Sequence, residues 1–290
     1  MNGSLALLLF MKTLASPGDT LVEVHPGDRL MLRDFQGSVY VETWERPFLR
    51  AEVETKESVP IRIQRSGSSV ELQLDGGEDR RRRKELRLAL PPWMNLEVAG
   101  RELEVEVRDL DGDLVVRNLR GDLTFRNLGG SVEAYTVEGS IEAHNLTGSA
   151  RLRTGDDDLW VGNSSADLNL ETVDGEISME GMAARRISAI TTEGEIEFSG
   201  RILEGGDYGF FSHGGDIQLQ LSPPVNLDAT ILAYEGEFES DYPVKASGFH
   251  SGEGLEFTLG TGGARLVMET FDGEIRLLRV SSSVGRENDG

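Results

Sequence analysis

Glycine recurs every nine residues in the middle of this chain. The repeated glycines are Gly112, Gly121, Gly130, Gly139, Gly148 and, after an interruption, Gly175. Between them apolar residues alternate with polar ones, in the pairs Leu114/Val116, Leu123/Phe125, Val132/Ala134, Ile141/Ala143 and Ala150/Leu152. A period of two indicates a strand with one buried face. Strands this short obtain a core only by stacking on one another, so the repeat predicts a stack of short strands.

A second, longer sequence repeat indicates the size of one coil. The motifs TVEGSI, TVDGEI, TTEGEI, HGGDIQ and YEGEF are centred on Gly139, Gly175, Gly194, Gly215 and Gly236. With Asp157 as the missing member, their spacing predicts an all-β, β-helix-like solenoid with about 18–21 residues per coil and no helix. Each coil then holds two nine-residue units. We attribute the glycines to tight corners that need a positive φ, with Asp157 and Ala166 replacing glycine at two of them.

Composition narrows the range of partners. The chain has 51 acidic and 29 basic residues and a formal net charge of −22. Such acidity disfavours nucleic acid and anionic membrane surfaces as partners and tolerates cationic ones. There are no cysteines, which excludes disulfides, thiolate metal sites, a cysteine nucleophile and a lipid-modified cysteine. No apolar run is long enough for a spanning helix.

The chain is predicted to be one domain with short terminal extensions. Residues 1–19 form a signal-like or disordered start, because the apolar run Leu5–Met11 precedes a small-residue ending at Ala15. This favours an extracytoplasmic or cell-envelope location, with a cytoplasmic one as the alternative. Residues 20–280 form the solenoid, and residues 281–290 a disordered tail. The basic run EDRRRRK, Glu78 to Lys84, is typical of a solvated hairpin tip.

Three stretches resemble a known bacterial family. They are VHPGDRLMLRDFQGSVYVETW, LRLALPPWMNLEVAG and GGARLVMETFDGEIRLLR. They are similar to the adhesin-type β-strand-repeat domain, a domain of unknown function found in envelope and stress-response proteins. The resemblance covers about Leu21 to Val280 and implies a single β-solenoid. It carries no catalytic residues over to this chain.

Catalytic and metal-binding motifs are poorly matched. Calcium-binding nonapeptide repeats need paired glycines and a recurring aspartate, whereas in the nine-residue units from Gly112 to Gly148 only Asp113 and Asp122 closely follow their glycines. The four histidines, none with a partner at metal-ligand spacing, are His25, His144, His213 and His250. The stretch GFHSG is not a nucleophile elbow, because its serine is one place late. We therefore expect neither a cofactor nor a metal.

An enzyme remains the alternative reading. Stacked strands can place two carboxylates about 5–9.5 Å apart, which is the separation used in glycoside hydrolysis. One face of a two-unit coil would carry the acidic series Glu142, Asp158, Glu176, Glu195 and Asp216. A uniform row of this kind is also typical of a soluble, aggregation-resistant face. A groove with two carboxylates in unlike surroundings would favour a polysaccharide hydrolase or lyase.

The nine-residue glycine repeat is interrupted at TGDDDLWVGN. Asp156, Asp157 and Asp158 follow each other there, and the period of two turns Trp160 outward. An exposed tryptophan beside three aspartates could stack on a sugar or anchor a partner, and the carboxylates could take a cation. The alternative is an irregular acidic corner with Trp160 lying over its neighbours. These four residues are the candidate partner- or ligand-binding site.

The sequence supports three hypotheses about function. The first is a non-enzymatic binding or scaffold solenoid of the cell envelope with an unknown protein or glycan partner, and the second is the carbohydrate-active enzyme. The third is a self-assembling scaffold similar to the bactofilins, which would need uncapped ends. The loop around Pro243 and the charges of Arg276 and Arg279 on the last strand oppose that assembly and favour a monomer.

Overall fold

A computed structural model describes residues 19–54, 60–74, 84–244 and 254–280. Four features discussed above lie outside these ranges: the signal-like start up to residue 18, most of the basic run (residues 78–83), His250 in GFHSG, and the tail 281–290. Within the described residues, all regular structure is strand. That part of the chain contains no apolar helix of membrane-spanning length.

The described residues form 24 strands. In chain order they are β1 (Asp19–Glu23), β2 (Arg29–Thr43), β3 (Phe48–Glu54), β4 (Ile61–Ser66), β5 (Ser69–Leu74), β6 (Lys84–Leu90), β7 (Asn95–Arg108), β8 (Leu114–Arg117), β9 (Leu123–Arg126), β10 (Ser131–Tyr135), β11 (Ile141–His144), β12 (Ser149–Arg153), β13 (Leu159–Gly162), β14 (Asp167–Glu171), β15 (Ile177–Met182), β16 (Arg186–Ile190), β17 (Ile196–Gly200), β18 (Asp207–Ser212), β19 (Ile217–Leu221), β20 (Leu227–Ala233), β21 (Phe238–Ser240), β22 (Leu255–Leu259), β23 (Arg265–Thr270) and β24 (Ile275–Arg279).

Each central coil contributes one strand to each of two parallel stacks. We call the stack of β8, β10, β12, β14, β16 and β18 the front sheet, and that of β9, β11, β13, β15, β17 and β19 the back sheet. Leu114, Val132 and Ala150 lie in register, so these coils repeat every 18 residues. Later coils are longer, because Ile187 is in register with Tyr208. The predicted two-unit β-solenoid is confirmed.

The core lies between the two sheets. The five predicted inward pairs are all buried, with Leu114, Val116, Leu123 and Phe125 fully enclosed. Each fully buried side chain of this size contributes about 1.5–3 kcal/mol, so the repeated pairs supply the main stabilisation of the stack.

One edge of the rod carries a ladder of buried hydroxyls. We call it the threonine edge, since the first corner residue of its coils is Thr136, Thr154, Thr172, Thr191, Ser212 or Thr270. The Thr191 hydroxyl accepts a hydrogen bond from the Gly194 N–H (3.1 Å) and donates one to the carbonyl of Gly175 in the preceding coil (3.2 Å). The ladder thus satisfies backbone groups that would otherwise be buried without partners.

The opposite edge carries a ladder of left-handed residues. We call it the asparagine edge, since Asp109, Asn127, Asn145 and Asn163 all have φ between 51° and 59° there. Asn145 donates a side-chain hydrogen bond to the Asn127 amide oxygen at 2.8 Å, and Asn127 donates one to the Asp109 carboxylate at 2.7 Å. Asparagine tolerates this backbone region better than other non-glycine residues, so the repeat can turn here without glycine.

The corner glycines serve close packing more than positive φ. Gly121, Gly139 and Gly148 do have positive φ, but Gly112, Gly130 and Gly175 do not, so our explanation was wrong for these. A Cβ on Gly175 would lie 2.0 Å from the carbonyl oxygen of Asp157 in the preceding coil. At Gly175 glycine is therefore required because the two corners lie too close for a side chain to fit between them.

The N-terminal end is closed by antiparallel strands. The long strands β2 and β7 each cross both sheets, pairing in parallel along their length. Beyond β2, β6 pairs with β3 and β3 with β1, while β5 pairs with β4, all antiparallel. The parallel stack therefore does not end in an open parallel strand on this side.

The last coil of the chain is not the last coil of the rod. β23 pairs with both β18 and β20, and β24 pairs with both β19 and β21, so the coil of β23 and β24 lies inside the stack. The outermost coil is that of β20 and β21, and β22 covers β20 in antiparallel orientation. Arg276 and Arg279 therefore charge an interior strand, not the terminal one.

Candidate functional site

Trp160 lies on the outer surface of the back sheet. Leu159 and Val161 on either side of it are fully buried, so the predicted outward direction of Trp160 is confirmed. The far edge of its indole occupies the space over Gly162, where a Cβ would lie 1.9 Å from the ring. Its ring centre is 4.2 Å from that of His144 in the preceding coil. The indole is therefore a half-buried ring held against the sheet.

His144 is itself fixed by a charged neighbour. Its Nε2 lies 2.7 Å from an oxygen of Glu142, the residue in register with Trp160. Arg126 donates a hydrogen bond to the same Glu142 oxygen at 3.0 Å. This Arg126–Glu142–His144 chain restrains the surface on one side of the indole.

A polar depression lies on the other side of Trp160. It has a volume of about 350 Å³, and its lining includes Asn163, Ser178, Glu180, Glu197, Gln218 and Gln220. Ser178 is in register with Trp160, and Glu180 with Gly162. The depression lies beside a bulge in β15, where Gly181 has a φ of 65° and the pairing with β17 shifts. A bulge of this kind bends a strand and redirects its side chains.

Glu197 is the carboxylate with distinct surroundings in this depression. Partial burial raises the pKa of its carboxyl above the usual value, and repulsion from Glu176, Glu195 and Glu180 raises it further. Because this pKa is higher in the folded protein, folding is favoured at low pH and loses that contribution as the pH rises through it. The surroundings of Glu197 thus favour the protonated form of its carboxyl.

The three aspartates do not converge. The Asp157 carboxylate accepts a hydrogen bond from the Gly139 N–H of the preceding coil at 2.7 Å. The Asp158 carboxylate accepts one from the Glu176 N–H of the following coil at 2.9 Å. Asp156 is exposed on the threonine edge. Two of the three aspartates, Asp157 and Asp158, therefore serve inter-coil hydrogen bonding. The described residues hold no cluster of three or more His, Asp or Glu suited to a metal ion.

The acidic series lies on the back sheet in successive layers. Asp158, Glu176, Glu195 and Asp216 follow one row, whereas Glu142 is two residues along, level with Trp160. Asp158 and Asp216 each accept a backbone N–H from the next coil in space. Part of this row therefore stabilises the stack.

Sequence reasoning missed the depression. Ser178, Glu197 and Gln218 are about one coil apart in the chain and adjacent in space. Aligning the sequence by coil would have shown polar residues with carboxylate and amide groups beside Trp160. The bulge that creates the hollow is marked only by an unremarkable Glu180-Gly181 pair.

Comparison with known proteins gives a family. A solved structure from Clostridium sporogenes, described as a "putative cell adhesion protein", is similar at 10% identity over 91% of this chain and 100% of that one, with a TM-score of 0.25. No curated protein matches the chain. The family described as Toastrack DUF4097 matches residues 50–278. With most of its length covered by that match, the chain belongs to the Toastrack DUF4097 family.

Proposed function

We propose that this protein is a non-enzymatic binding module of the bacterial cell envelope that binds a saccharide on its back sheet. The observation that carries the proposal is the half-buried Trp160 ring, held over Gly162 and against His144 beside a polar depression. An aromatic ring next to a few fixed polar groups is the usual composition of a site for a small organic ligand.

A saccharide fits both parts of this surface. Its apolar ring face can pack against the indole, since aromatic side chains bring large apolar area. Its hydroxyls can donate to the carboxylates of Glu180 and Glu197 and exchange hydrogen bonds with the amides of Gln218 and Gln220. The open outer surface of a sheet also suits a long polymer better than a small buried metabolite.

The proposed location in the envelope rests on the start of the chain. The apolar run Leu5–Met11 and the small residues before Ser16 are typical of an export signal, although this segment lies outside the described residues. Polymeric saccharides are abundant in the envelope, so the location and the proposed ligand agree.

The enzyme is the second candidate, and one observation favours it. The raised pKa of Glu197, next to Glu176 and Glu195, gives carboxylates in unlike surroundings, as an acid and base pair requires. The Glu197 side chain is nevertheless exposed on the outer face of a sheet. Binding without hydrolysis is therefore the better-supported reading.

Titration with short β-linked N-acetylglucosamine and glucose oligomers tests the proposal. We expect binding by calorimetry, and Trp160→Ala should weaken it at least tenfold because the stacking ring is lost. Gly162→Ala should weaken it similarly with the tryptophan retained, because a Cβ there displaces the indole. Tyr135→Ala is the control, since Tyr135 is an exposed aromatic residue on the front sheet.

Three results would contradict this function. Equal affinity in the native protein and Trp160→Ala, or no binding of any oligomer, would remove the saccharide site. Release of reducing ends that is lost in Glu197→Gln would establish the enzyme in its place. We expect no reducing ends to form.

A further inference from the structure

Exposed apolar side chains concentrate along the threonine edge. Val173, Ile190 and Phe271 are 49%, 40% and 42% exposed there. Phe211 is half-buried and in register with Ile190, and the His213 ring stacks on that of Phe271 with centres 5.2 Å apart. We call these five residues the apolar strip. It spans four successive coils of the rod.

A row of carboxylates follows the apolar strip. Asp174, Glu193 and Asp272 each lie two residues after the buried threonine of their corner, and all three are exposed. At the equivalent corner nearer the N-terminal end, Glu138 is paired with Arg120 at 2.8 Å. In the ranges that the structure describes, no salt bridge involves the three carboxylates of the row. They are therefore available to cationic groups of a partner.

The backbone of this edge is already hydrogen-bonded along the rod. The N–H groups of Thr192 and Glu193 both donate to the Val173 carbonyl, and the N–H of Asp272 donates to the His213 carbonyl. An added strand needs free backbone donors and acceptors, which these corners do not offer. A partner must dock here through side chains and satisfy its own backbone, as an α-helix does.

The spacing of the strip also suits a helix. Successive coils are about 4.8 Å apart, and successive turns of an α-helix are about 5.4 Å apart. A helix that lies along the rod can therefore place one apolar side chain from each of its turns on each successive coil of the strip. A helix with lysine or arginine beside its apolar face would meet Asp174, Glu193 and Asp272.

We propose that the apolar strip is a docking site for a basic amphipathic α-helix of a partner protein. Its apolar face packs on Val173, Ile190, Phe211 and Phe271, and its basic flank pairs with the adjacent carboxylates. A second copy of this chain, or an anionic membrane, would meet these carboxylates with charge of the same sign. Charge complementarity therefore favours the basic helix.

The test uses a synthetic 18-residue peptide of leucine and lysine with leucine on one helical face. We expect it to bind the full chain in fluorescence anisotropy and to gain helical circular dichroism on binding. Ile190→Ser combined with Phe271→Ser should weaken binding at least tenfold. Asp174→Asn with Glu193→Gln should weaken it and reduce its salt dependence, because charge pairing is screened by salt.

Matched controls separate this site from general acidity. Leu21→Ser removes an exposed apolar residue of β1, at the N-terminal end of the rod, and should leave affinity unchanged. Trp160→Ala should also leave it unchanged, so this proposal and the saccharide site can fail independently. A peptide with glutamate in place of lysine should not bind.

Three outcomes would overturn the proposal. One is unchanged peptide affinity in the Ile190→Ser, Phe271→Ser double variant while its thermal unfolding matches the native protein. Another is a native dimer in sedimentation that the double variant dissociates, which would make a second copy the occupant. The last is flotation with anionic phospholipid vesicles that the double variant abolishes.

Discussion

Two adjacent glycines show how tightly the corners of the rod are packed. A Cβ on Gly215 would lie 1.9 Å from the carbonyl oxygen of Gly194, a backbone atom of the coil below. A Cβ on Gly214 would meet Glu193 Oε2 first, at 2.9 Å, which is the mobile end of a side chain. Neither glycine has a positive φ, so the two differ in available space and not in backbone strain.

Alanine substitutions at these positions should therefore differ sharply. Gly215→Ala forces two coils apart and should lower the free energy of unfolding by about 3 kcal/mol or more. Gly214→Ala should change it by less than about 1 kcal/mol, because Glu193 can rotate away and alanine restricts the unfolded chain. Urea denaturation measures both. Equal effects at the two positions would show that the corner does not need close contact.

The repeating structural unit of this fold is the coil, and its threonine edge and asparagine edge are not interchangeable. Val132 is in register with Ala150, so removing residues 132–149 joins two equivalent points of the repeat. The hydroxyl ladder and the asparagine ladder then continue across the junction. Removing only residues 132–140 would place Asn145 on the threonine edge and Thr154 on the asparagine edge.

The larger deletion should therefore be the less damaging one. Loss of residues 132–149 should leave a cooperative fold, because each coil contacts only its neighbours. Loss of residues 132–140 should cost about 2–3 kcal/mol more, because each broken ladder leaves a buried backbone group unsatisfied, at about 1–3 kcal/mol. Chemical denaturation of both proteins checks the order. A nine-residue deletion as stable as the 18-residue one would mean that the ladders contribute little.

At the scale of the whole molecule, the ends decide whether rods join. The N-terminal end is closed by the antiparallel strands β1, β3 and β4, and at the other end β22 covers β20. An uncovered strand edge is a template for pairing with another chain. The covering strands oppose the stacking of rods through β20 and through the N-terminal coil, whereas β21, among the described residues, pairs only with β24. The monomer therefore stays a prediction.

Phe257→Pro should uncover β20. Phe257 is in register with Ala229, and proline removes a backbone donor and disrupts strand pairing. We expect oligomers that grow with protein concentration in light scattering after size exclusion. Phe257→Ser is the control, because it loses the ring contact with Phe238 but keeps the backbone N–H. A monomeric proline variant, or oligomers in both variants, would contradict this role of β22.

The regular part of the rod could be predicted because its rules are local. The inward direction of Leu123 and Phe125 follows from a period of two, and coil length follows from the spacing of the corner glycines. The order of the last coils could not be predicted, because Gly236 and Gly273 occupy equivalent corners that fit either position in the stack. The depression beside Trp160 was also hidden, since it depends on neighbours one coil away and on the bulge at Gly181.

The interior position of the coil of β23 and β24 has a consequence for synthesis on the ribosome. Residues 227–240 emerge first, yet the surface on which they stack is made of residues 265–279. The rod therefore cannot grow coil by coil in the order of translation beyond β19. The last two coils must wait for the C-terminal strands. A chain cut short before residue 265 would lose both of them, the missing coil and the coil that it supports.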